Sequence, residues 1–109
     1  MSISGVTGTA LSGMLAQQTR VANIANNVAN VDTPGYQQRN TNLSSTDPSG
    51  VAATTTQSNI PASTPDTSNV DMLDAMTGLV SSEHAFAANA SVFETGADMW
   101  DMLMSIKKD

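Results

Sequence analysis

The sequence predicts an all-α fold, an elongated pair of long N- and C-terminal helices joined by an extended polar linker. Three observations support it. Apolar residues recur at helical spacing near both ends of the chain, and few large apolar residues lie between. The chain has 109 residues, enough for one small domain. We therefore divide it into an N-terminal helix (1–31), a polar linker (32–68) and a C-terminal helix (69–109).

The first segment has the spacing of a helix that packs lengthwise on a partner, since its apolar stripe advances by alternating steps of three and four. This first row consists of Leu11, Met14, Gln18, Val21, Ala25 and Val28. Gly5, Gly8 and Gly13 weaken helix propensity, so we expect the first ten residues to be frayed and to fold only on docking. Pro34 predicts that the helix stops near Val31.

The middle segment is rich in Thr, Ser, Asn, Pro and Gly, a composition typical of an extended or disordered linker. Its only aliphatic side chains larger than Ala are Leu43, Val51 and Ile60. It therefore cannot build a core of its own. A structureless loop of this length is uncommon inside a compact domain, so we expect any order in it to come from neighbouring segments.

The C-terminal segment carries the longest unbroken periodicity, again in steps of four and three. This second row consists of Met72, Met76, Leu79, Glu83, Phe86, Ala90, Phe93, Ala97, Trp100 and Met104. Ser68 to Asp71 resembles a capping box at the helix start. A helix of this length spans more than 50 Å at about 1.5 Å per residue, which favours an elongated helical pair.

Composition excludes several classes of function. The formal net charge is -6 with only four Lys and Arg residues, too few to neutralise a phosphate backbone, so we expect no nucleic-acid partner. No run approaches the ~20 apolar residues of a membrane span, and the N-terminus lacks the pattern of a cleaved signal peptide.

Catalytic and metal-binding groups are also missing from the sequence pattern. The chain has no Cys, and its single His84 follows Glu83, so the two side chains point about 100° apart on a helix and cannot share a metal. The Ser and Thr residues of the linker have no base to activate them. We therefore expect no enzyme activity, no catalytic residues, no metal, no cofactor and no small-molecule substrate.

Four asparagines share one face near the end of the first helix, at Asn23, Asn26, Asn27 and Asn30. Because Asn is a mediocre helix former, their presence needs a reason. One interpretation is a solvated face that ends in an Asn cap. The other is that the amides bond to the backbone or to neighbouring chains where the helix turns.

The segment from Asn26 to Tyr36 (NNVANVDTPGY) closely resembles the signature near the N-terminus of bacterial flagellar rod and hook proteins, the axial family of the basal body. Gln17-Gln18 and Leu11-Ser12-Gly13 fit the same pattern. The tail, from Ser68-Asn69-Val70-Asp71 onward, resembles the C-terminal helix of that family. The matching signature and turn residues are Asn23, Asn26, Asn27, Asn30, Asp32, Thr33, Pro34, Gly35 and Tyr36.

The resemblance implies an antiparallel coiled coil of the two terminal helices, packed with others into a helical tube. It implies a structural subunit of the basal-body rod whose partners are copies of itself and other rod proteins. It also implies export by the flagellar type III apparatus without signal cleavage, to the rod that crosses the periplasm. The two rows without Glu83 are then the assembly seam, since one Ala-rich helix cannot cover all of the large side chains in the second row.

The sequence departs from the family pattern at two points that affect its interpretation as a rod subunit. The sequence has no large β-rich domain between its ends, which favours a short, proximal-rod-like member. His84 stands where the family often has Arg. A non-flagellar reading also fits the periodicity: a helical-hairpin adaptor, or a type III export chaperone that binds a partner helix in a groove.

Overall fold

The computed structural model describes residues 2–61 and 68–107, which form two helices and two strands. Their order is α1 (Ile3–Ala29), β1 (Arg39–Ser45), β2 (Val51–Gln57) and α2 (Met72–Lys107). The molecule measures 70 × 24 × 14 Å, and the 36 residues of α2, which rise about 1.5 Å each, account for most of the longest dimension. Part of the predicted linker (62–67) and the chain ends (1 and 108–109) lie outside the described residues.

The prediction of an all-α fold is wrong, because the polar linker contains a two-stranded antiparallel sheet; the helical pair is the part of that prediction that fits. β-Branched Val and Thr residues, which favour extended backbone, make up much of β2. Next to the turn, Ser45 lies opposite Val51. The Thr46 N–H donates to the Gly50 carbonyl at 3.0 Å, and Gly50 has a φ of 110°, a conformation that glycine adopts without strain.

Each helix begins at a side-chain cap. The Ser2 hydroxyl accepts a hydrogen bond from the Gly5 N–H at 2.9 Å and starts α1. The Asp71 carboxylate accepts from the Leu73 N–H at 3.0 Å and starts α2. The predicted capping box at Ser68 is therefore displaced by three residues. The Ser68 hydroxyl instead donates to the Val31 carbonyl at 2.6 Å and ties the start of α2 to the end of α1.

The two helices contact each other through a buried row of mostly small residues. Its members are Ala10, Gly13, Gln17 and Ile24 in α1 and Ala75, Gly78, Ser82 and Gly96 in α2. These positions advance by three or four residues or by sums of such steps, as a lengthwise helix contact requires. Small side chains let the two backbones approach closely, so this contact buries little apolar side-chain volume.

Two glycines show how close the helices are. A Cβ atom at Gly13 would lie 2.7 Å from the amide of Asn89, and one at Gly78 would lie 2.9 Å from Cδ1 of Ile24. Because rising positions in α1 pair with falling positions in α2, the helices are antiparallel. A larger residue at either glycine requires the neighbouring side chain to move.

Candidate assembly surface

The predicted rows are not the residues that join the two helices. Four of the six members of the first row follow a position of the α1 contact row by one residue: Leu11, Met14, Gln18 and Ala25. Four members of the second row have the same offset in α2, namely Met76, Leu79, Glu83 and Ala97, and the other members of each row share a helix face with these. One residue corresponds to a rotation of 100° about a helix. Both predicted rows therefore lie on the flank of the helix pair, outside the contact between α1 and α2.

The structure brings the two predicted rows together on the same side of the molecule. A one-residue offset turns each helix of an antiparallel pair towards the same flank, and residues from both rows line one groove of about 470 Å³ there. The groove is lined by Gln17, Gln18, Val21, Leu79, Ser82, Glu83 and Phe86. We call the surface formed by the first and second rows the apolar face.

Large side chains of the apolar face are uncovered. Phe86 is 37% exposed, Phe93 40% and Trp100 52%. The other large, exposed apolar members are Leu11, Val21, Met72, Met76, Leu79 and Met104. Of the remaining members, Met14, Val28 and Ala90 are half-buried, and Gln18, Ala25, Glu83 and Ala97 are exposed. The exposed apolar side chains are interrupted by Gln18 and Glu83, and clusters of exposed apolar side chains with polar residues among them are characteristic of protein interaction sites.

Two buried polar atoms lie beneath the groove. The Oε1 atom of Gln17 and the Oγ atom of Ser82 have no hydrogen-bond partner among residues 2–61 and 68–107, although Gln17 is only 8% exposed and Ser82 is fully buried. Buried polar groups are nearly always paired in folded proteins. Both residues stand in short polar runs, Gln17 to Arg20 and Ser81 to His84, and nothing in the local spacing distinguishes the buried members of those runs from their exposed neighbours.

Asn23 and Asn27 attach the hairpin to α1. The Asn23 amide donates to the hydroxyls of Thr41 (2.6 Å) and Thr55 (3.0 Å), which lie opposite each other in β1 and β2. Asn27 accepts from the Arg39 N–H at 2.8 Å and donates to the Arg39 carbonyl at 2.9 Å. It therefore pairs with β1 as a neighbouring strand would.

The other signature residues bond locally around the turn. The amides of Asn26 and Asn30 donate to the carbonyls four residues earlier, at 3.1 and 2.9 Å. The Thr33 hydroxyl donates to Oδ1 of Asn30 at 3.0 Å, and the Tyr36 hydroxyl donates to Oδ1 of Asn27 at 3.1 Å. Asp32, Pro34 and Gly35 are exposed in the turn, where Gly35 has a φ of 75°.

Asn69 and Ser12 are further anchors that the sequence analysis did not single out by themselves. The Asn69 side chain accepts from the Gln38 N–H and donates to the Ile60 carbonyl at 2.7 Å, so it holds both ends of the hairpin segment. The Ser12 hydroxyl accepts from the Val51 N–H at 3.1 Å and holds the turn end of β2. The only available signal was their position inside segments that resemble the family pattern.

No group of three or more His, Cys, Asp or Glu residues that could hold a metal occurs in residues 2–61 and 68–107. Exposed positions on α2 carry His84 and Asp98, and neither is a member of the apolar face. Within the same described ranges, neither helix is both long enough and apolar enough to cross a membrane.

Comparison with curated proteins finds relatives among flagellar hook proteins. Flagellar hook protein FlgE of Rhizobium meliloti (strain 1021) is 45% identical over 45 residues, which are 41% of this chain and 11% of that protein. The proteins of the same name from Brucella abortus biovar 1 (strain 9-941) and Brucella suis biovar 1 (strain 1330) are 44% identical with the same coverage. The match thus spans only a small part of each hook protein.

Family comparisons match both helical segments in chain order. The family described as "Flagella basal body rod protein" matches residues 8–37, which include most of α1, the asparagines and the turn. The family described as "Flagellar basal body rod FlgEFG protein C-terminal" matches residues 66–106, which include nearly all of α2. The two matches cover about two thirds of the chain and include most of the apolar face. The chain therefore belongs to the flagellar basal-body rod and hook family.

Proposed function

We propose that this chain is a structural subunit of the flagellar basal-body rod, which joins copies of itself and other rod proteins through the apolar face. The observation that carries the proposal is the common placement of two long apolar rows on one uncovered flank of the helix pair. Family membership supports the flagellar setting. The role is mechanical rather than catalytic.

Burial of the apolar face supplies the driving force for assembly. Covering one large apolar side chain contributes roughly 1.5–3 kcal/mol, before the cost of ordering the partners. Phe86, Phe93 and Trp100 are each at least one-third exposed and repeat every seven residues, so a facing helix can take all three. Their summed burial is large enough to hold adjacent subunits together in a shaft.

One feature favours a rod subunit over a hook subunit. Only 28 residues, 38–65, separate the two family matches, and the described part of that segment consists mainly of the hairpin. We propose accordingly that the subunit is proximal-rod-like, is exported by the flagellar type III apparatus and resides in the rod that crosses the periplasm.

The proposal is tested by a pair of charge substitutions in α2. Phe93→Asp puts a carboxylate on the apolar face, where an unpaired charge costs several kcal/mol (~3–5) once a neighbour covers it. Ser91→Asp introduces the same group about 160° around the helix, at an exposed position outside the apolar face. We expect Ser91→Asp to be found in purified basal bodies, and Phe93→Asp to be exported but absent from them. Equal incorporation of the two variants would refute the proposed assembly surface.

A further inference from the structure

We propose that the outer edge of β2 pairs with the same edge of a second copy of this chain, so that the two hairpins form one antiparallel sheet with the strand order β1-β2-β2-β1. This contact goes beyond the proposed function, because it uses the hairpin and not the apolar face. Its basis is a row of backbone groups on β2 that has no partner and whose spacing is complementary to itself.

The hydrogen bonds of the hairpin show which residues point their backbone groups outward. Opposite residues of an antiparallel pair alternate between those that bond each other and those whose N–H and C=O groups face away. The Ser58 N–H donates to the Gln38 carbonyl at 2.8 Å, so the next pair, Arg39 and Gln57, faces outward. The bonds between Arg39 and Asn27 agree with this pattern. The outward-facing residues of β2 are therefore Val51, Ala53, Thr55 and Gln57.

The outer edge of β2 is open over most of its length. Ser12 accepts from the Val51 N–H, whereas the outward groups of Ala53, Thr55 and Gln57 have no hydrogen-bond partner among residues 2–61 and 68–107. β2 packs on α1, and no residue of α2 contacts it. It also lacks the charged residues and Pro that usually protect a strand edge from pairing. The edge is therefore available to another strand.

A second copy of β2 fits this edge because its outward groups are symmetric about Thr54. In antiparallel pairing centred on Thr54, Ala53 lies opposite Thr55 of the second copy, and Gln57 lies opposite Val51 of the second copy. Every such pair joins two outward-facing residues, so the pairing forms about six hydrogen bonds. The two Thr54 side chains meet at the axis, and Thr–Thr pairs across strands are favourable.

Charge and shape also fit a second copy. Arg39 and Asp47 are the only charged residues from 39 to 57, and their signs are opposite, so the hairpins do not repel each other although the chain has a net charge of -6. Thr41 and Thr55 bind Asn23, which places α1 on one face of the sheet. A two-fold axis perpendicular to the sheet keeps both α1 helices on that face, about 10 Å apart, a distance at which helices pack. Because two copies complete the contact, we assign it to the free chain and not to the growing rod.

The absence of Cys lets one introduced Cys report on this register. In the proposed sheet the two Thr54 Cα atoms are about 4.5 Å apart, within the range of a disulfide. Thr54→Cys should therefore form a disulfide-linked dimer under mild oxidation. Thr56→Cys is the matched control, because Thr56 is equally exposed on the same face, but its two copies lie about 14 Å apart along the strands. It should remain monomeric on a non-reducing gel.

Charge substitutions test the contact without oxidation. Thr54→Lys places like charges directly opposite each other at the axis and should raise the dimer dissociation constant roughly fivefold or more in sedimentation equilibrium. Thr56→Lys lies opposite Ala52 of the second copy, so it should change that constant by about twofold or less. Both side chains are exposed and face away from α1, so neither change disturbs the packing of the hairpin.

Proline substitutions test which edge is used. Ala53→Pro removes an outward N–H of β2 and should eliminate the Thr54→Cys crosslink. Leu43→Pro makes the same change at an outward position of β1 and should retain it. Hydrogen–deuterium exchange of the amides between β1 and β2 shows whether the hairpin stays intact in each variant.

The outcomes separate this inference from the proposed function. Equal crosslinking of Thr54→Cys and Thr56→Cys, no crosslink of Thr54→Cys at any protein concentration, or equal dissociation constants for the two Lys variants would overturn the edge pairing. A crosslink that survives Ala53→Pro would overturn it as well. Phe93→Asp should retain the Thr54→Cys crosslink because the apolar face takes no part in it, and a lost crosslink would contradict the assignment to β2. The incorporation of Phe93→Asp into basal bodies tests the rod function alone.

Discussion

The two flanks of the helix pair differ in what lies against them. On one, which we call the hairpin flank, β1 and β2 lie against α1 and are held by directional hydrogen bonds from Ser12, Asn23 and Asn27. On the other, the apolar face has no covering segment among the described residues, and Phe93 and Trp100 are exposed. Hydrogen bonds fix one partner in one geometry, whereas apolar contact is non-directional. The chain thus covers one flank beside Ser12 to Asn27 of α1 with its own segment, whereas Val92 and Met99 beyond it, and the apolar face on the other flank, stay exposed.

The largest expected effect comes from Asn27→Ala on the hairpin flank. This change removes a buried amide that bonds to both backbone groups of Arg39 and accepts from Tyr36. We expect the hairpin to be destabilised by roughly 2–4 kcal/mol, because two backbone groups lose their partners. Hydrogen–deuterium exchange of the β1 amides measures the opening.

The control for that prediction is Asn26→Ala, one residue away. Asn26 is exposed, and its amide bonds only to the Ala22 carbonyl of its own helix. Its loss should change stability by about 0.5 kcal/mol or less. If hairpin exchange were equally fast in both variants, the hydrogen bonds of Asn27 would not be what holds the hairpin. Association through the apolar face should persist in both variants.

A second prediction addresses the opposite end of the hairpin flank. Ser12→Ala removes the acceptor of the Val51 N–H and should cost about 1–2 kcal/mol, less than Asn27→Ala because one backbone group is affected instead of two. The faster exchange should be concentrated near the turn, around Val51, and should spare the Arg39 end. Uniform acceleration along both strands would show that the hairpin opens as one unit.

Two Gly→Ala changes in α1 test the contact between α1 and α2, which lies between the two flanks. A methyl group at Gly13 meets the Asn89 side chain at 2.7 Å, whereas nothing lies within 4 Å of a Cβ at Gly8. Both changes gain roughly 1 kcal/mol of helix propensity. We expect Gly8→Ala to raise the free energy of unfolding, and Gly13→Ala to lower it by about 1 kcal/mol through overpacking. Thermal or urea unfolding measures the difference, and equal stabilisation would contradict the close helix contact.

The smallest effects are expected at exposed polar positions of α2. His84→Ala and Asp98→Ala lie outside both the apolar face and the contact row, so each should alter stability by about 0.5 kcal/mol or less. Incorporation into basal bodies and motility should stay near the level of the unmodified chain. A non-motile variant at normal protein levels would mean that this surface of α2 takes part in assembly.

The linker is the region whose structure was predicted least completely from the sequence. Its few large apolar residues predicted that it cannot form a core alone, and in the described part of the linker β1 and β2 lie against α1. The strands themselves were missed. The partners that order them, such as Asn23 for Thr55, lie 32 residues away. Whether the linker is disordered in the isolated chain stays a prediction, and the exchange measurements test it.

The sequence by itself determined the periodic apolar rows, the family signature and the absence of a catalytic pattern, because each can be read from spacing within a short segment. Only the tertiary structure decided which row of each helix meets the other. Small residues such as Gly13 and Gly78 form the contact between the helices because they let the two backbones approach closely, although they bury little apolar surface. The large residues, one position along, were turned by 100° onto the uncovered flank. Periodicity reveals that a face is apolar, and packing in three dimensions decides which partner covers it.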